Sequence, residues 1–435
     1  MNCNSNKKVL LTPDGLKILS LFDGMACAML ALIEAGIKVG RYVAYEIDKY
    51  AVQTTSHNFP FIEHMGDVFE ADFAQYKGFD ILMGGSPCTY WSIAQKSNRE
   101  TEASGMGWEL FCRYVKALDE AQPKYFIYEN NKSMSRAIRG SINQTFGFEP
   151  ICINSSLVSA QHRQRLYWVG KRNEDGTYSK VDVQLPNDRG ILLQDVLDSA
   201  FGYSNTAEDK SYCLDANYWK TPGSPETFLE KGHARSNRTM AAAPVNVVDG
   251  DKSFAIKANY YKSAFANFVN GGGHYPQSGV AEPVRVGTWP NKAKNQAHDS
   301  QQYRIYSVAA KSVTLCGNGG GMGAKTGLYA VPVEFTDGVP ADSVCDTDGK
   351  AYSVYKVKDG EITINNKQYP IKLEDGHYII RKLTVSECMR LQTVPEWYEF
   401  PVSDTQAYKM LGNGWTVSVI AHLLNSIKAT QQSEI

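Results

Sequence analysis

The stretch Leu16–Ala26, which reads LKILSLFDGMA, decides the fold class of this chain. Its first half contains Lys17–Phe22, a mainly aliphatic run that predicts a buried β-strand. Its second half is a turn of small residues that leads into Ala26–Ala35, a segment of helical composition. A strand, a small-residue turn and a helix N-terminus in this order are typical of the place where a parallel sheet admits a ligand to its backbone. The turn lacks the G-x-G-x-x-G pattern, so alone it is a weak indicator of a nucleotide-like cofactor.

Further strands follow the first at the spacing of βαβ units. They are predicted at Tyr42–Glu46, Phe61–His64, Phe79–Met83, Tyr125–Glu129 and Arg165–Gly170. Between them, Leu110–Glu120 has the composition of a helix. Short β-branched or aromatic runs that alternate with helical segments predict an α/β fold with a doubly wound, Rossmann-like parallel sheet up to about residue 171.

Beyond residue 171 the pattern changes to a mostly β one. Gly, Asn, Ser and Tyr become frequent, and alternation of period two replaces helical periodicity until about residue 380. Within this region Val354–Ile380 has turn residues at Asn365-Asn366 and Asp375-Gly376, and it predicts two or three antiparallel strands. A second, mostly β domain is therefore expected between residues 172 and 380.

From Arg381 the pattern is helical again. Thr384 is placed to cap this helix, and Glu387, three residues later, is placed as its partner in a capping box. We expect residues 381–435 to complete the α/β core that residues 1–171 begin, so that the core is discontinuous in sequence.

Composition describes an ordinary globular protein of two or three domains. The chain has 435 residues, 43% of them hydrophobic and 21% charged, and a formal net charge of −1. That neutral total gives no sign of a polyanionic partner, but it hides a contrast between regions. Lys210–Ala330 carries 14 Lys/Arg against 7 Asp/Glu, a balance of +7, whereas Val331–Ile380 has a balance of −4. The basic segment suits nucleic acid, although a solvated β face can also be basic.

One segment of the basic region occurs twice. Lys210–Lys220 reads KSYCLDANYWK, and Lys252–Lys262 reads KSFAIKANYYK. Copies at this spacing indicate duplicated strand-and-loop units. Similar hairpin packing with no shared function is an equally good interpretation.

The cysteines and the apolar stretches exclude several classes of protein. Nine cysteines, an odd number with no C-x-x-C pair, argue against a disulfide framework and a structural zinc site, so no metal is expected. The segment that follows Met1 is polar and does not resemble a signal peptide. The most apolar stretch, Leu16–Val39, is interrupted by charged residues. We therefore expect a cytoplasmic protein with no membrane partner.

Reactive side chains follow the predicted strands. Cys88 ends the run Gly84-Gly85-Ser86-Pro87-Cys88, a sharp turn that presents a thiol at the carboxyl edge of the sheet. A free thiol has a pKa of about 8.5, so a nucleophilic role requires a positive group nearby, for which Arg163 and Arg165 are candidates. Glu129, at the same edge, could hold or protonate a ring nitrogen. Each residue could instead be structural: the cysteine a core residue, the glutamate a helix cap.

Two acids at neighbouring strand ends suit a nucleoside. Glu46, at the end of the second strand, is placed to accept hydrogen bonds from ribose hydroxyls, and Asp67, after the third, to bind an adenine amine. Taken separately, each could equally be a helix N-cap.

The order of these motifs resembles that of DNA cytosine-5 methyltransferases. The resemblance covers residues 16–171 and 381–427, and the wording of the first two motifs is similar to the vertebrate de novo branch, while the region before Arg381 is similar to bacterial and phage enzymes. Six motifs carry it, in this order: Phe22-x-Gly24, Ser86-Pro87-Cys88, Glu129-Asn130, Gln161-x-Arg163-x-Arg165, Arg381-x-Leu383-Thr384-x-x-Glu387-x-x-Arg390-Leu391-Gln392-x-x-Pro395, and Gly412-Asn413-x-x-x-Val417-x-Val419.

The resemblance implies a catalytic role for four residues. Cys88 would attack C6 of a cytosine flipped out of the duplex, and Glu129 would hold or protonate N3. Arg163 would bind the cytosine carbonyl or stabilise the adduct, and Arg165 would support the catalytic loop or Glu129. The methyl donor would be S-adenosylmethionine, and the substrate double-stranded DNA.

The resemblance also implies a cofactor pocket and a DNA-facing loop. The cofactor would contact seven residues from both ends of the chain: Phe22, Gly24, Glu46, Asp67, Pro87, Asn413 and Val419. The loop Thr89–Gly105 would cover the flipped base, with Lys96 and Arg99 on phosphates or, equally well, as solvated loop charges.

The chain departs from the family pattern at three places. The first motif has Ala26 and Cys27 where a second glycine is usual, which puts cofactor affinity in doubt. Asn131 replaces the usual valine after Glu129-Asn130, which would alter the burial of the acid. Trp415 follows Gly412-Asn413-Gly414 and is either a cofactor contact or a core aromatic, of which we expect the latter.

Two alternatives share most of these features. The substrate could be RNA, as in the transfer-RNA branch of the same superfamily, although that branch is short where this chain has its long basic insert. The protein could also be a non-catalytic DNA-binding member, which the presence of all four catalytic residues disfavours. We expect a DNA methyltransferase that acts as a monomer, with a partner restriction endonuclease left open.

Overall fold

The computed structural model describes residues 11–92, 99–198, 282–289, 303–315, 327–333, 343–345, 351–364 and 367–432. These residues form two compact units. The first lies within Met1–Val158, Arg163–Asn187 and Met389–Ile435, and the second within Ser159–His162 and Asp188–Cys388. The repeat at 210–220 and 252–262 lies outside the described residues, as does most of the basic segment.

The first unit is built on an eight-stranded sheet. The strands are β1 (Leu16–Leu21), β2 (Val39–Tyr45), β3 (Glu63–His64), β4 (Ile81–Gly84), β5 (Tyr125–Asn131), β6 (Ile151–Asn154), β7 (Gln164–Arg172) and β8 (Tyr178–Lys180). Their order in the sheet is β3-β2-β1-β4-β5-β7-β6, and β8 pairs with β7. The helices that connect the first strands are α1 (Cys27–Glu34), α2 (Lys49–Asn58), α3 (Gly105–Ala121) and α4 (Arg136–Phe146).

The strands β3, β2, β1, β4 and β5 are parallel, as predicted. The prediction of one continuous parallel series is wrong for its last member, because β7 runs antiparallel to both β5 and β6. A parallel connection needs a crossover of a dozen or more residues, and the segment Ser155–Arg163 between β6 and β7 is too short for one. The chain therefore turns back and places β7 between its neighbours.

Local signals explain where the helices of this unit begin and end. Asp48 caps α2 by accepting a hydrogen bond from the backbone N–H of Tyr50, and Ser135 caps α4 by accepting one from Ile138. Gly147 ends α4 in the left-handed conformation, with φ of 81°. The sheet is then covered by an aromatic-rich core that includes Phe111, Tyr114, Phe126, Tyr128, Phe146 and Trp168.

The second unit is built on a mainly antiparallel sheet, also of eight strands among the residues described. They are β9 (Arg285–Thr288), β10 (Arg304–Ser307), β11 (Leu328–Pro332), β12 (Ser343–Cys345), β13 (Ala351–Lys358), β14 (Glu361–Ile364), β15 (Lys367–Pro370) and β16 (Gly376–Arg381). Their order is β15-β14-β13-β16-β11-β10-β9, with β12 paired to β13; of the pairs described in this sheet, only β10 and β11 run parallel. The segment predicted to hold two or three antiparallel strands holds β13 to β16.

The chain leaves the second unit through the helix predicted after Arg381. This is α5 (Val385–Leu391), and α6 (Asp404–Asn413) and α7 (Val417–Gln432) follow in the first unit, where α7 packs against α1. The predicted capping box is confirmed. The backbone N–H of Glu387 donates to Thr384 Oγ1 at 3.1 Å, and the Thr384 N–H donates to Glu387 Oε2 at 2.7 Å.

Candidate active site

Cys88 lies in a short helical turn immediately after β4. Pro87 precedes this turn, and the carbonyl of Cys88 accepts hydrogen bonds from the backbone N–H groups of Trp91 and Ser92. The thiol is free and its residue is half-buried. The turn therefore presents Cys88 at the carboxyl edge of the parallel strands, where open α/β sheets bind their ligands.

Glu129 lies in β5, next to β4 in the sheet, and both of its carboxylate oxygens have a donor. Arg165 Nε is 3.1 Å from Oε1, and the indole Nε1 of Trp415 donates to Oε2 at 2.8 Å. The side chains of Glu129 and Arg165 are only 11% and 13% exposed. An ion pair on one oxygen and a hydrogen bond on the other fix the orientation of a carboxylate that is shielded from water.

Trp415 is half-buried and belongs to this cluster. The expectation that it is a core aromatic is therefore wrong, because the residue is only half-buried and its indole N–H donates to the Glu129 carboxylate. The only signal in the sequence was the departure from the family pattern at this position. A tryptophan needs a partner for its indole N–H when it is shielded from water, and Glu129 supplies that partner.

Arg163 is buried, and the charges of the other candidate residues affect the pKa of its guanidinium. Its Nη2 donates to the carbonyls of Gly412 at 3.1 Å and Gly414 at 2.8 Å. Burial and the charge of Arg165 lower the pKa of the Arg163 guanidinium to about 10, while Glu129 and Cys88 act in the opposite direction. At neutral pH the guanidinium is cationic, so the thiol of Cys88 has the positive neighbour that the sequence required.

Asn131 is buried and extends this polar network. Its Nδ2 donates to the carbonyl of Cys88 at 3.4 Å, and its Oδ1 accepts a hydrogen bond from Ser133 at 2.7 Å. The replacement of the family's valine therefore adds a link between β5 and the cysteine turn. Ser86, next to Pro87, is tied to the same strand through Tyr128, with 2.7 Å between the two hydroxyl oxygens.

The turn after β1 has three residues with left-handed backbone, two of which, Phe22 and Gly24, were predicted to contact a cofactor. Phe22, Gly24 and Ala26 all have positive φ, of 58°, 59° and 56°. This conformation costs a residue with a Cβ about 1–2 kcal/mol, and such strain is concentrated at ligand-binding sites. Ala26 occupies the position of the family's second glycine and bears that cost.

The same turn has features that fit an adenosyl cofactor. A Cβ at Gly24 would meet no atom within 4 Å, so the space over its backbone is open. Asp23 Oδ2 is buried and has no hydrogen-bond partner among the described residues. Both features suit a ligand that approaches the backbone and brings polar groups with it.

Glu46 and Asp67 lie where the sequence placed them, after β2 and β3. Glu46 accepts three backbone N–H groups, from Gly24 on Oε2 and from Ile47 and Asp48 on Oε1, at 2.7–2.8 Å. Asp67 Oδ1 accepts the N–H of Phe69 at 2.9 Å. A carboxylate has about four acceptor sites, so each acid can still receive a ligand donor.

Sequence reasoning missed Ile47, the residue that follows Glu46. Its side chain is 74% exposed, which makes it the most exposed of the large hydrophobic residues that the structure describes. Ile47 lies between Glu46 and Asp48 in the sequence. An exposed apolar side chain at this position could pack against the flat face of a nucleobase. The signal was its position immediately after a predicted ribose ligand.

The other predicted cofactor residues differ in their environments. Asn413 ends α6 and is exposed, so its amide is accessible. Val419 is 0% exposed inside α7. Direct contact between Val419 and a ligand is not supported, because the side chain has no accessible surface and packs within the core.

Of the two residues predicted to contact DNA, the structure describes only Arg99. Lys96 lies outside the described residues. Arg99 is half-buried, and its Nε and Nη2 donate to the carbonyls of Trp91 at 3.2 Å and Ser133 at 2.6 Å. With these donors bound to the protein, Arg99 anchors the loop end in this structure. Its phosphate contact stays a prediction.

The structure shows neither a metal site nor a membrane-spanning helix within the ranges that it describes. Among those that the structure describes, no three His, Cys, Asp or Glu side chains are grouped to hold a metal ion. No helix in the described ranges is long and apolar enough to cross a membrane.

Sequence comparison relates this chain to known methyltransferases. The sequence profile described as "C-5 cytosine-specific DNA methylase" matches residues 16–429. The chain is 24% identical to "Orphan methyltransferase M.SPRI" of Bacillus phage SPR, over 95% of this chain and 97% of that protein. It is 25% identical to "Type II methyltransferase M1.ScrFI" of Lactococcus lactis subsp. cremoris, over 68% of this chain and 76% of that protein.

Comparison with solved structures concerns the fold. The Entamoeba histolytica methyltransferase EhMeth matches with a TM-score of 0.51 and 12% identity, over 96% of this chain and 99% of that chain. The predicted fold class, a Rossmann-like methyltransferase core with an additional mostly β region, is confirmed.

Proposed function

Because this chain belongs to the C-5 cytosine-specific DNA methylase family and is therefore a DNA cytosine-5 methyltransferase, we propose that it acts through a covalent bond between Cys88 and the target cytosine. One observation carries the proposal: Cys88 lies at the sheet edge, in the same site as the buried, cationic Arg163 and a glutamate whose two oxygens are both held. A nucleophile and an acid are thus combined in one site.

The residues divide the chemistry between attack and proton transfer. The Cys88 thiolate attacks C6 of a cytosine that has left the base stack, and a C–S bond forms. In its protonated form, Glu129 gives a proton to N3, and the C5=C6 electron pair moves between C4 and C5. The product is an enamine with a nucleophilic C5. Once C5 carries the new methyl group, it loses its proton to water, Cys88 leaves as thiolate, and N3 returns its proton to Glu129, so that the ring is restored.

The arginines support these steps without exchanging protons. Arg163 remains cationic and stabilises the thiolate and the negative charge that develops on the base. Arg165 keeps the Glu129 carboxyl in line with N3 through its contact with Oε1. A mobile carboxyl would spend only part of its time in the reactive geometry, so this positioning increases the rate.

We propose S-adenosylmethionine as the methyl donor. When bound, it supplies the electrophilic methyl group that the activated C5 accepts. The residues that would hold it are Phe22 and Gly24 at the strained turn, Glu46 and Asp67 as acceptors, Ile47 against the base, and Pro87 and Asn413 at the rim. Open space above Gly24 and the unpaired oxygen of Asp23 support this assignment.

We also propose that the enzyme works as a monomer on double-stranded DNA. The four residues of the reaction, Cys88, Glu129, Arg163 and Arg165, all come from one chain. The matching relatives include both orphan phage methyltransferases and type II methyltransferases. The enzyme could therefore act with a partner endonuclease, as a type II methyltransferase, or without one, as an orphan methyltransferase. The domain boundaries at residues 172 and 380 stay a prediction.

Covalent trapping tests the proposed nucleophile. After methyl transfer, DNA that contains 5-fluorocytosine has no C5 proton to lose. In the presence of S-adenosylmethionine the wild-type enzyme is therefore expected to remain bound through a bond that survives denaturation. Cys88→Ala should form no such complex and lose methylation. Cys112→Ala, which removes an exposed thiol on α3, is the matched control and should trap DNA like the wild type.

The outcome separates the proposal from its alternatives. A wild-type protein that binds cofactor but forms no denaturation-resistant complex contradicts the catalytic assignment of Cys88. Bisulfite sequencing of DNA from cells that express the protein then reports the methylated base and its sequence context.

A further inference from the structure

The carboxylate of Glu129 has a second donor that the family resemblance does not supply. Arg165 contacts Oε1, and Trp415 Nε1 donates to Oε2 at 2.8 Å. The two partners come from segments that are far apart in the sequence: Arg165 from β7, and Trp415 from the link between α6 and α7. Each oxygen of the acid is therefore held independently, and rotation of the carboxylate breaks one contact or both.

The backbone around Trp415 is fixed, so its indole has a defined direction. The backbone N–H of Trp415 hydrogen-bonds to the buried thiol of Cys27, and burial raises the pKa of that thiol to about 12. The neighbouring Gly414 carbonyl accepts Arg163 Nη2 at 2.8 Å and Gln392 Nε2 at 3.3 Å. At neutral pH the Cys27 thiol is therefore neutral, and it lies against the backbone of the Gly414-Trp415 link.

The cysteine turn accommodates this pair because Gly85 has no side chain. A Cβ on Gly85 would lie 2.8 Å from the Glu129 carbonyl oxygen, 2.9 Å from Oε2 and 3.5 Å from Trp415 Nε1. Contacts below 3.0 Å to a backbone oxygen and a held carboxylate cannot be relieved by a flexible side chain. The absence of a side chain at Gly85 is therefore part of the same arrangement.

From this geometry we infer that Trp415 is a positioning residue for Glu129 in the methyl-transfer reaction. Its indole N–H holds Oε2, so that the carboxyl is presented to N3 of the flipped cytosine in one orientation. The inference rests on the proposed role of Glu129. It differs from both uses considered from the sequence, a core aromatic and a cofactor contact.

A double-mutant cycle tests this role. Trp415→Phe keeps an aromatic ring and removes the donor, and it is expected to lower kcat about ten- to a hundredfold, the effect of one hydrogen bond to a charged group. KM for S-adenosylmethionine should not change. In the Glu129→Gln background, Trp415→Phe should cause no further loss, because the group on which it acts is already absent.

Exchange of tritium from [5-³H]cytosine DNA gives a second readout. Exchange at C5 reports attack by Cys88 and activation by Glu129, and it should fall with kcat in Trp415→Phe. Trp415→Gln restores an N–H donor without the ring and should recover part of the exchange. If the Phe variant keeps exchange and the Gln variant loses it, ring packing is what matters and the inference is overturned.

The possible results separate this inference from the proposed function. If Glu129→Gln has wild-type rates, the assigned role of Glu129 itself fails. If Glu129→Gln is impaired while Trp415→Phe is fully active, raises only the cofactor KM or adds its own loss to that of Glu129→Gln, the positioning role alone is overturned. Should neither Trp415 variant fold, Gly85→Ala takes their place, with a lower kcat expected at constant KM and a wild-type kcat as the contrary result.

Discussion

Asp23, in the strained turn after β1, is a buried acid whose protonation the fold controls. Burial raises its pKa to about 6, although Ser20 and Tyr42 each donate a hydrogen bond of 2.6 Å to Oδ1 and work against that rise. The unfolded carboxyl ionises near pH 3.8. Between these two values the native state binds more protons than the unfolded state, so stability falls as pH rises.

The stability of Asp23→Asn is therefore expected to depend on pH relative to the wild type. The cost of the ionised carboxylate grows as pH rises through the folded pKa of about 6, and it levels off above that pKa at an upper value of about 3 kcal/mol. The amide of the variant does not ionise, so its free energy of unfolding should gain on that of the wild type between about pH 4 and about pH 7.5. Urea unfolding at both pH values measures this, and a difference that is independent of pH would contradict it.

At the residue scale, motif order led to the proposed catalytic residues but not to the way in which they are held. Cys88, Glu129 and Arg165 were identified because their chemistry is carried by residue type and strand position. The partner of the second Glu129 oxygen was not, since Trp415 is 286 positions away. No local pattern can indicate a hydrogen bond that depends on how two distant segments approach each other.

At the element scale, two glycines offer a matched test of helix and strand. Gly140 is exposed inside α4, and a Cβ there would meet no atom within 4 Å. Gly170 lies in β7, where a Cβ would be 2.1 Å from the ring of Phe126. Gly140→Ala should stabilise the protein by about 0.5–1 kcal/mol through helix propensity. Gly170→Ala should destabilise it by about 1–3 kcal/mol through overpacking.

Chemical denaturation of the two variants measures both effects. The substitution is identical, so a difference in sign arises from the environment alone. Shifts of the same sign would mean that the strand tolerates the methyl group or that the helix does not benefit from it.

Element prediction succeeded where the signal was local. The parallel strands from β1 to β5 follow from apolar runs and turns, and the Thr384–Glu387 capping box follows from four consecutive positions. The direction of β7 did not, because direction depends on which neighbour the strand joins. A short link after β6 made the antiparallel arrangement the accessible one.

At the scale of the whole molecule, charge distribution predicts how DNA is held. The balance of +7 over Lys210–Ala330 leads us to expect phosphate contacts there. In a triple variant, Lys231→Gln/Arg235→Gln/Arg238→Gln, the slope of log K against log salt should become shallower by about 0.9 for each phosphate that the protein no longer neutralises. Fluorescence anisotropy with duplex DNA at several salt concentrations measures the slope.

A control at the acidic end of the insert separates local contact from net charge. Lys356, Lys358 and Lys367 are exposed in a region whose balance is −4. Replacing these three with Gln removes the same formal charge and should leave the salt slope unchanged. Equal slopes for both triple variants would show that the basic segment makes no more phosphate contacts than the acidic region does.

The sequence by itself determined the chemistry and the fold class. Residue type and strand order are local properties, so the thiol, the acid, the two arginines and the α/β pattern could all be recognised without coordinates. Only the tertiary structure decided that Glu129 is held on both oxygens, that Val419 is fully buried in the core and that Arg99 is bound within the protein. These facts depend on distances between segments far apart in the chain, and such distances are set only when the sheet and its helices pack together.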